Sequence, residues 1–513
     1  MCSCLTTVPK NQPSSSSAVA LAQGLSTATP IDGADRSLET PRETTLATRV
    51  RRQSAINMVG GLLSQGVKFL LVIYVVRCFP PVQFGWLSFA IAVNAFLFVV
   101  GHFGLPTYGA RTVARAGTIR SDVLVSICAA RALLSLLGTA VAFAILGFVP
   151  TVGHEELLLV VVFGLSNVPV AGLVDWAFQG IHRQDVSAII NVVWQLLWLG
   201  LVIVGVHARA SILIVPVALC VSALITAVLA YTWLIRKHGV ERGTESVNLF
   251  RQTRRMLISG TALGTGTLLI TVLVWSDIIV VRLLRGNEDA GLYAAGNRAA
   301  LALAMLASYF VQGALPLLSR AAGNDIQFNA CFQHCYDDLA FAFVPLSMWA
   351  IFYSREIIAV LFRRSEYAPA TVVFQIFQLV LLATIFGNLY GIGALVASHR
   401  DADYQRSLVL TALFFVPFCI GLVHYAGITG GAAAALAAQV FCGFSFLRRS
   451  RGVVVANHRK ALLMPALLGV LIVAVSQGFR LTVYGSLAVV MLAYGAAVVL
   501  RLRSGNYHHL GAC

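Results

Sequence analysis

Three basic side chains stand within long apolar stretches of the chain, where an isolated charge is costly. Lys68, Arg131 and Arg298 each lie several residues inside such a stretch. A charge in hydrocarbon costs about 2.5–3.5 kcal/mol on insertion scales, so such a residue is a functional candidate. A fixed cation in low-dielectric surroundings attracts an anionic group, and arginine adds bidentate contacts to phosphate. The three residues therefore predict anion binding, unless they snorkel to an interface or pair with acids.

Two of these cations belong to polar stripes at helical spacing. The stripes are Asn57, Gly61, Gln65 and Lys68 in one stretch, and Arg298, Ala302, Met305, Tyr309 and Gln312 in another. Because the members of each stripe share one helix face, each helix can present a single polar face inward. Gln65 and Gln312 thereby join the three cations as predicted substrate-binding residues.

Two acids are candidates for coupling to an ion gradient. Asp175 lies near one end of its apolar stretch, and Asp277 lies five residues before Arg282. Either could relay a proton or a cation, or serve as a structural partner for a neighbouring arginine. Two pairs of amides could hydrogen-bond the hydroxyl groups of a polar substrate or simply link helices, namely Asn191 with Gln195 and Gln375 with Gln378.

The patterns of nucleotide-dependent and covalent enzymes are not readable in the sequence. There is no Walker A sequence, and the Gly-X-Gly triplets at 264–266 and 391–393 lack a third glycine and a preceding strand. Cys331, His334 and Cys335 have a spacing that could bind metal on a helix, but an ordinary amphipathic junction is the better interpretation. We therefore expect no cofactor, no metal and no enzymatic activity.

The composition places all of these residues in a membrane. Hydrophobic residues make up 58% of the 513 residues and charged residues only 11%, where a soluble domain carries about 25% charged residues. The formal net charge of +16 could suggest a nucleic-acid partner. The charges sit in short clusters between apolar runs rather than in one stripe, so no nucleic acid is expected.

Fourteen apolar stretches are long enough to be membrane helices, given that a span requires about 20 residues. None alternates with period 2, so the prediction is an all-α polytopic membrane protein. The predicted spans are 55–76, 86–104, 122–149, 156–178, 188–206, 211–235, 256–281, 292–318, 339–362, 370–397, 407–425, 430–447, 461–476 and 482–500.

The distribution of basic residues predicts the orientation of these spans. With both termini cytoplasmic, the inside breaks and flanking tails hold 25 Lys and Arg residues, and the outside breaks hold 7. Membrane proteins keep an excess of Lys and Arg in cytoplasmic loops. The asymmetry therefore predicts that both termini are cytoplasmic.

An internal repeat relates the two halves of the chain. Val75-Val76-Arg77 recurs as Val280-Val281-Arg282, and Leu105-Pro106 recurs as Leu315-Pro316, at offsets of 205 to 210 residues. Six predicted helices separate the copies, so both copies have the same direction. A parallel repeat of this kind is typical of transporters with a central site between two bundles.

The repeated motifs, in this helix order, resemble the polysaccharide-transporter family of the multidrug/oligosaccharidyl-lipid/polysaccharide (MOP) exporter superfamily. The resemblance covers roughly residues 55–450 and rests on VVRCFPPVQFGWLSFAIAV, FGLPTYGARTVAR, SDIIVVRLLRGNEDAGLYAAGNRAALAL and LFRRSEYAPA. The chain departs from the family at Cys78 and Arg363, where a glycine is usual. The resemblance implies two six-helix bundles with two added C-terminal helices, and flipping of undecaprenyl-pyrophosphate-linked sugars.

This resemblance gives the candidate residues specific expected roles. Lys68, Arg131 and Arg298 would attract the pyrophosphate of a lipid-linked oligosaccharide, in contact with membrane lipids of the bacterial inner membrane. A polysaccharide polymerase and export machinery are the expected protein partners. One rival is a drug/cation antiporter of the same superfamily, which would rely on central carboxylates. A membrane glycosyltransferase is disfavoured because the longest break, about 236–255, is too short and too basic.

The same reasoning predicts the domain organisation. We expect a disordered cytoplasmic tail, two six-helix bundles joined by a linker, and two extra helices with a short tail. The respective boundaries are 1–52, 53–235, 236–255, 256–448 and 449–513.

Overall fold

The computed structural model describes residues 41–241, 249–454 and 457–503. Within these ranges the chain is helical and forms no strand beyond a single bridge between Arg120 and Glu241. The helices are α1 (Pro41–Cys78), α2 (Pro81–His102), α3 (Leu105–Ala116), α4 (Ser121–Gly147), α5 (His154–Ala171), α6 (Asp175–Gly180), α7 (Gln184–His207), α8 (Ile214–His238), α9 (Leu249–Arg285), α10 (Asn287–Ala321), α11 (Asp325–Phe352), α12 (Ser354–Phe362), α13 (Ala370–Asn388), α14 (Asp401–Arg449), α15 (His458–Gly478) and α16 (Val483–Arg503).

The predicted all-α membrane fold is confirmed. Eleven of the described helices are long and apolar enough to cross a membrane. The 49-residue α14 is interrupted at Gly427, whose φ of 60° and ψ of −137° separate the predicted spans 407–425 and 430–447. Helices α10 and α16 cover two further predicted spans, and a π-helical segment, Leu389–Val396, extends α13.

Local chemistry explains where several helices begin and end. Pro81 occupies the first turn of α2, where no amide donor is required. Gly104 and Gly117, both in the left-handed region, delimit α3. Asn324 caps α11 by accepting from the backbone amides of Ile326 and Gln327.

At three places the helix ends differ from the predicted boundaries. Residues 41–52, predicted as part of a disordered tail, are helical, because Pro41 suits a first turn and residues 42–52 contain no glycine or proline. The linker is shorter than 236–255, since α8 ends at His238 and α9 begins at Leu249. The span predicted at 339–362 begins earlier, at Asp325, and is broken at Tyr353. The predicted tail 1–40, linker residues 242–248 and the C-terminal residues 504–513 lie outside the described residues.

The packing divides the chain between Arg52 and Gln53. The second unit contains the core, in which α2 and α10 occupy a central position. Helix α2 packs against α4, α5, α9 and α10, and α10 packs against α2, α9, α11, α13 and α14. Gly85 of α2 and Gly291 of α10 lie at their contact, and small residues of this kind allow close backbone approach in membrane proteins. We refer to α1–α8 as the N-terminal set and to α9–α14 as the C-terminal set.

Successive long helices reverse direction, which gives the second unit two ends. One end, which we call the basic end, carries the connection at 103–120 and the ends of α8 at His238 and α14 at Arg449. The other carries the connections at 79–80, 148–153, 286 and 353–369, and we call it the distal end.

Candidate substrate and ion sites

The polar stripes of α1 and α10 come into contact at one point. A side-chain carbon at Gly61 of α1 would lie 2.7 Å from the Tyr309 hydroxyl of α10. Gly61 belongs to the stripe of Lys68, and Tyr309 belongs to the stripe of Arg298. At 1.5 Å of rise per residue, Lys68 lies about 10 Å and Arg298 about 16 Å from this contact. Both displacements run toward the distal end, so the two cations lie at neighbouring depths.

The exposure of these stripes indicates an internal space. Lys68 and Gln312 are exposed, and Gln65 and Arg298 are half-buried. Charged side chains within membrane helices almost always face the interior of the helix bundle or a water-filled space rather than lipid. The side chains of Asn57, Ala302 and Met305, the other members of the stripes, lie outside the described part.

Arg298 retains an unused hydrogen-bond donor. Its guanidinium carbon lies 4.1 Å from the ring centroid of Trp275 on α9, a cation–π contact that fixes the plane of the group. One terminal nitrogen, Nη2, is buried and has no hydrogen-bond partner in the described residues. Arg298 also interacts electrostatically with Asp277 of α9. The stacked guanidinium is therefore positioned, and it is able to bind an anionic ligand.

Asp277 borders a small, mostly apolar cavity within the C-terminal set. The side chain is buried, and it accepts a hydrogen bond of 2.7 Å from the Tyr293 hydroxyl. The cavity, about 90 Å³ in volume, lies between α9, α10, α13 and α14. Asn297, Thr384 and Gln439 also line it, and the Asn297 side-chain oxygen is buried without a partner in the described residues. Carboxylate, amide and hydroxyl oxygens together can hold a proton or a small hard cation.

Arg131 has a different environment from the other two cations. It is 2% exposed, and its terminal nitrogens donate to the carbonyl oxygens of Val170, Ala171 and Leu173 at 3.2–3.3 Å. These carbonyls belong to the end of α5 and the break before α6. Nη2 also lies 2.6 Å from His102 Nε2. Arg131 thus satisfies a helix end inside the N-terminal set, and its role in substrate binding stays a prediction.

Asp175, the second predicted coupling acid, lies next to Arg131. It is the first residue of α6 and is half-buried. Arg131 is its main electrostatic partner. A carboxylate at a helix N-terminus is also stabilised by the helix dipole. The structure therefore brings Asp175 together with Arg131, and it brings Asp277 together with Arg298.

The four amide side chains of the predicted pairs fall into two groups. Gln375 donates to Ser354 Oγ at 2.8 Å, and Asn191 donates to the Ser187 carbonyl of its own helix. Gln195 and Gln378 are buried, and each has side-chain polar atoms without a partner in the described residues. The first group thus has structural bonds, and the second has unused hydrogen-bonding capacity.

Sequence reasoning missed one strong interaction. Arg282 of α9 donates from Nε and Nη2 to both carboxylate oxygens of Glu156 on α5. Both side chains are buried, at 5% and 1% exposure. The sequence does mark Arg282 as a residue of interest, because it belongs to the repeated Val-Val-Arg motif. Its position near the end of a span made it look like an interfacial residue.

Comparisons with known proteins identify a family and a fold. A family model described as "Polysaccharide biosynthesis protein" matches residues 50–322. No curated protein sequence matches the chain.

Solved structures resemble the chain over most of its length. The lipid II flippase MurJ in an inward closed conformation has a TM-score of 0.67 at 13% identity, covering 91% of this chain and 99% of that one. A MOP superfamily transporter from Pyrococcus furiosus has a TM-score of 0.52 at 12% identity, covering 78% and 95%. A MATE transporter of Vibrio cholerae has a TM-score of 0.52 at 15% identity, covering 80% and 97%.

These likenesses establish the fold, and the family match extends over more than half of the sequence. The chain therefore belongs to the polysaccharide biosynthesis protein family and has the fold of the MOP-superfamily transporters and flippases.

Proposed function

We propose that the protein is a flippase that moves an undecaprenyl-pyrophosphate-linked oligosaccharide across the bacterial inner membrane for surface polysaccharide synthesis. The observation that carries the proposal is the pair of polar stripes that come into contact on α1 and α10, with Lys68 and Arg298 at neighbouring depths. A pyrophosphate drawn from water into a low-dielectric cavity must recover its desolvation cost, and fixed cations provide this.

Each stripe has a distinct role in this proposal. Arg298, held flat on Trp275, binds a phosphate oxygen through its unused Nη2 donor. Lys68, on a flexible stem, provides a second positive charge across the cavity. Gln65 and Gln312 hydrogen-bond the proximal sugar or the phosphate. The arrangement suits a divalent or higher anion better than a cationic drug.

The direction of transport follows from the charge distribution. The basic end carries most of the Lys and Arg residues in the breaks, so it is the cytoplasmic end in this proposal. Substrate enters the cavity there and leaves at the distal end after the two sets of helices rock about the site. A downstream polymerase and export machinery would consume the product.

Asp277 is the proposed coupling residue. Its carboxylate can exchange a proton or a small cation in the 90 Å³ cavity, and its electrostatic interaction with Arg298 links that event to the substrate site. Asp175 remains a second candidate, although its main electrostatic partner is Arg131.

A drug/cation antiporter is the alternative, and the carboxylate-lined cavity at Asp277 is the observation in its favour. Such a protein would bind its cationic substrate at carboxylates. In this chain the two stripes carry cations instead, and the family match is to polysaccharide biosynthesis.

The test is substitution of the two cations in a host that depends on this gene for its surface polysaccharide. Arg298→Ala is expected to abolish export and to leave lipid-linked oligosaccharide accumulated inside the cell. Arg298→Lys should keep part of the activity, because the charge survives and the bidentate geometry does not. Lys68→Ala should reduce export. Normal polysaccharide levels in both alanine variants, at wild-type membrane abundance, would rule out a cationic substrate site at these residues.

A further inference from the structure

Two arginines at the distal end cross between the two sets of helices. Arg282, near the end of α9, binds both carboxylate oxygens of Glu156 in the first turn of α5. It also donates to the carbonyl oxygen of Thr151 at 2.5 Å and lies over the ring of Phe89, 5.6 Å from its centroid. Arg282 thus ties the first helix of the C-terminal set to the α4–α5 connection.

The second arginine makes the reciprocal contact. Arg77, near the end of α1, donates from Nε to the Leu361 carbonyl at 2.7 Å and from Nη2 to the Val360 carbonyl at 3.0 Å. Both carbonyls belong to α12, in the connection between α11 and α13. Arg77 and Arg282 occupy equivalent positions of the sequence repeat. The connections that they reach also correspond, since each joins the third and fourth long helices of its set.

Between these two contacts the backbones of α2 and α10 cross at very short distance. A side-chain carbon at Gly85 of α2 would lie 1.8 Å from the Asn287 carbonyl oxygen of α10. A side-chain carbon at Gly291 of α10 would lie 1.9 Å from the Pro81 carbonyl oxygen of α2. Gly85 and Gly291 are separated by 206 residues, as are Pro81 and Asn287. The crossing is therefore pseudo-symmetric and too close to admit any side chain.

We propose that this crossing is the distal gate of the protein and that the Arg282–Glu156 pair is the latch that holds it closed. The proposal rests on the proposed transport function. The two arginines contribute unequally to keeping the gate closed. Arg282 binds a buried carboxylate, whereas Arg77 is exposed and binds backbone carbonyls. Release of substrate at the distal end requires both contacts to break and α2 to separate from α10.

The physical reason for the latch is the cost of an unpaired buried charge. In the closed state neither Glu156 nor Arg282 reaches water, so each charge depends on the other. When the gate opens, water hydrates both groups. If one partner is neutralised, the remaining charge is buried and unpaired in the closed state but hydrated in the open state. The substitution therefore destabilises the closed state alone. A single neutral substitution therefore shifts the population toward the open state, whatever the net contribution of the intact pair.

The gate can be measured through a cysteine placed beneath it. Ser88 lies three residues after Gly85 on α2 and is 2% exposed, so a cysteine there reports separation of α2 from α10. The experiment uses full-length protein in nanodiscs, with Ser88→Cys in a Cys78→Ser background, and a membrane-impermeant maleimide on both faces. The same protein without Ser88→Cys gives the background rate.

Glu156→Gln and Arg282→Gln are each expected to raise the labelling rate by about tenfold or more. The charge-reversed double variant, Glu156→Arg with Arg282→Glu, should return most of the way to the parent rate. Arg285→Gln is the matched control, because Arg285 ends the same helix and bonds the Val423 and His424 carbonyls within its own set. Its labelling rate should not change.

Labelling of both single variants at the Arg285→Gln rate would overturn the latch, as would a double variant that labels as fast as the single ones. If a neutral variant is not recovered folded, Arg282→Lys keeps the charge without the bidentate geometry and should give an intermediate rate; the parent rate would overturn the proposal. The assay contains no glycan. Failure of the substrate assignment would therefore appear in the export test and leave the labelling result unaffected.

Discussion

Buried arginines in this protein have two kinds of role, structural and ligand-binding, and their hydrogen bonds distinguish the two roles. Arg131 donates to three backbone carbonyls at the break between α5 and α6. Arg298 lies on Trp275 and keeps one buried nitrogen without a partner in the described residues. An arginine whose donors are used by a helix end stabilises the fold, whereas one with a spare donor in a cavity can bind a ligand.

This distinction predicts opposite effects for two alanine substitutions. Arg131→Ala removes the side-chain donor from the buried Ala171 and Leu173 carbonyls, at about 1–3 kcal/mol for each group left unsatisfied, whereas the Val170 carbonyl still accepts from the Leu173 amide. We expect a lower unfolding temperature in detergent and lower membrane abundance. Arg298→Ala should lose export at nearly unchanged unfolding temperature. Equal unfolding temperatures for Arg131→Ala and the parent protein would contradict a structural role for Arg131.

At the scale of elements, irregular backbone lies where helices must change direction. Gly427 breaks α14 between two predicted spans, and Gly172, which follows Pro169 and the end of α5, lies in the break before α6. Within a bilayer such breaks are tolerated where protein groups satisfy the freed backbone. Arg131 does this at the end of α5, and Arg285 does it by bonding the carbonyls of Val423 and His424, just before Gly427.

The break at Gly427 requires glycine. Its φ of 60° with ψ of −137° is a conformation that other residues adopt only at a cost of about 1–3 kcal/mol. Gly427→Ala is therefore expected to lower the unfolding temperature of the detergent-solubilised protein. Gly421→Ala is the control in the same helix, because a side-chain carbon there would meet no neighbouring side chain or helix within 4 Å and alanine favours a helix. The expectation fails if Gly427→Ala is as stable as Gly421→Ala.

At the scale of the whole molecule, charge is distributed unevenly between the two ends. The basic end includes Arg111 and Arg115 on the amphipathic α3, together with the arginines around the α14–α15 connection. A helix of this kind can lie in the membrane interface, where its cations meet anionic lipid headgroups. The asymmetry favours a cytoplasmic location for the basic end.

Sided labelling tests this orientation. Ala116→Cys at the end of α3 and Glu155→Cys at the start of α5 place exposed reporters at the basic and distal ends. In intact cells, with Cys78 replaced by serine, an impermeant maleimide should modify the distal reporter and leave the basic one unmodified until the cells are opened. Modification of Ala116→Cys in intact cells would reverse the assignment.

The amino-acid sequence by itself determined the membrane class and the positions of the spans. Each of the fourteen predicted stretches overlaps a helix, because a bilayer requires about 20 apolar residues per span and internally bonded backbone. Two of the stretches, 156–178 and 339–362, cross a short break between helices. Helical periodicity also determined which residues share a face, and it placed Lys68 with Gln65 and Arg298 with Gln312.

Only the tertiary structure decided which faces meet. Periodicity does not specify a helix's neighbour, so nothing in the sequence paired Arg282 with Glu156, which are 126 residues apart. The same reason applies to Arg131, whose three carbonyl partners lie about 40 residues away at a helix end that an apolar pattern does not reveal. The contact of Gly61 with Tyr309 likewise depends on packing, and it turns two separate stripes into one candidate site.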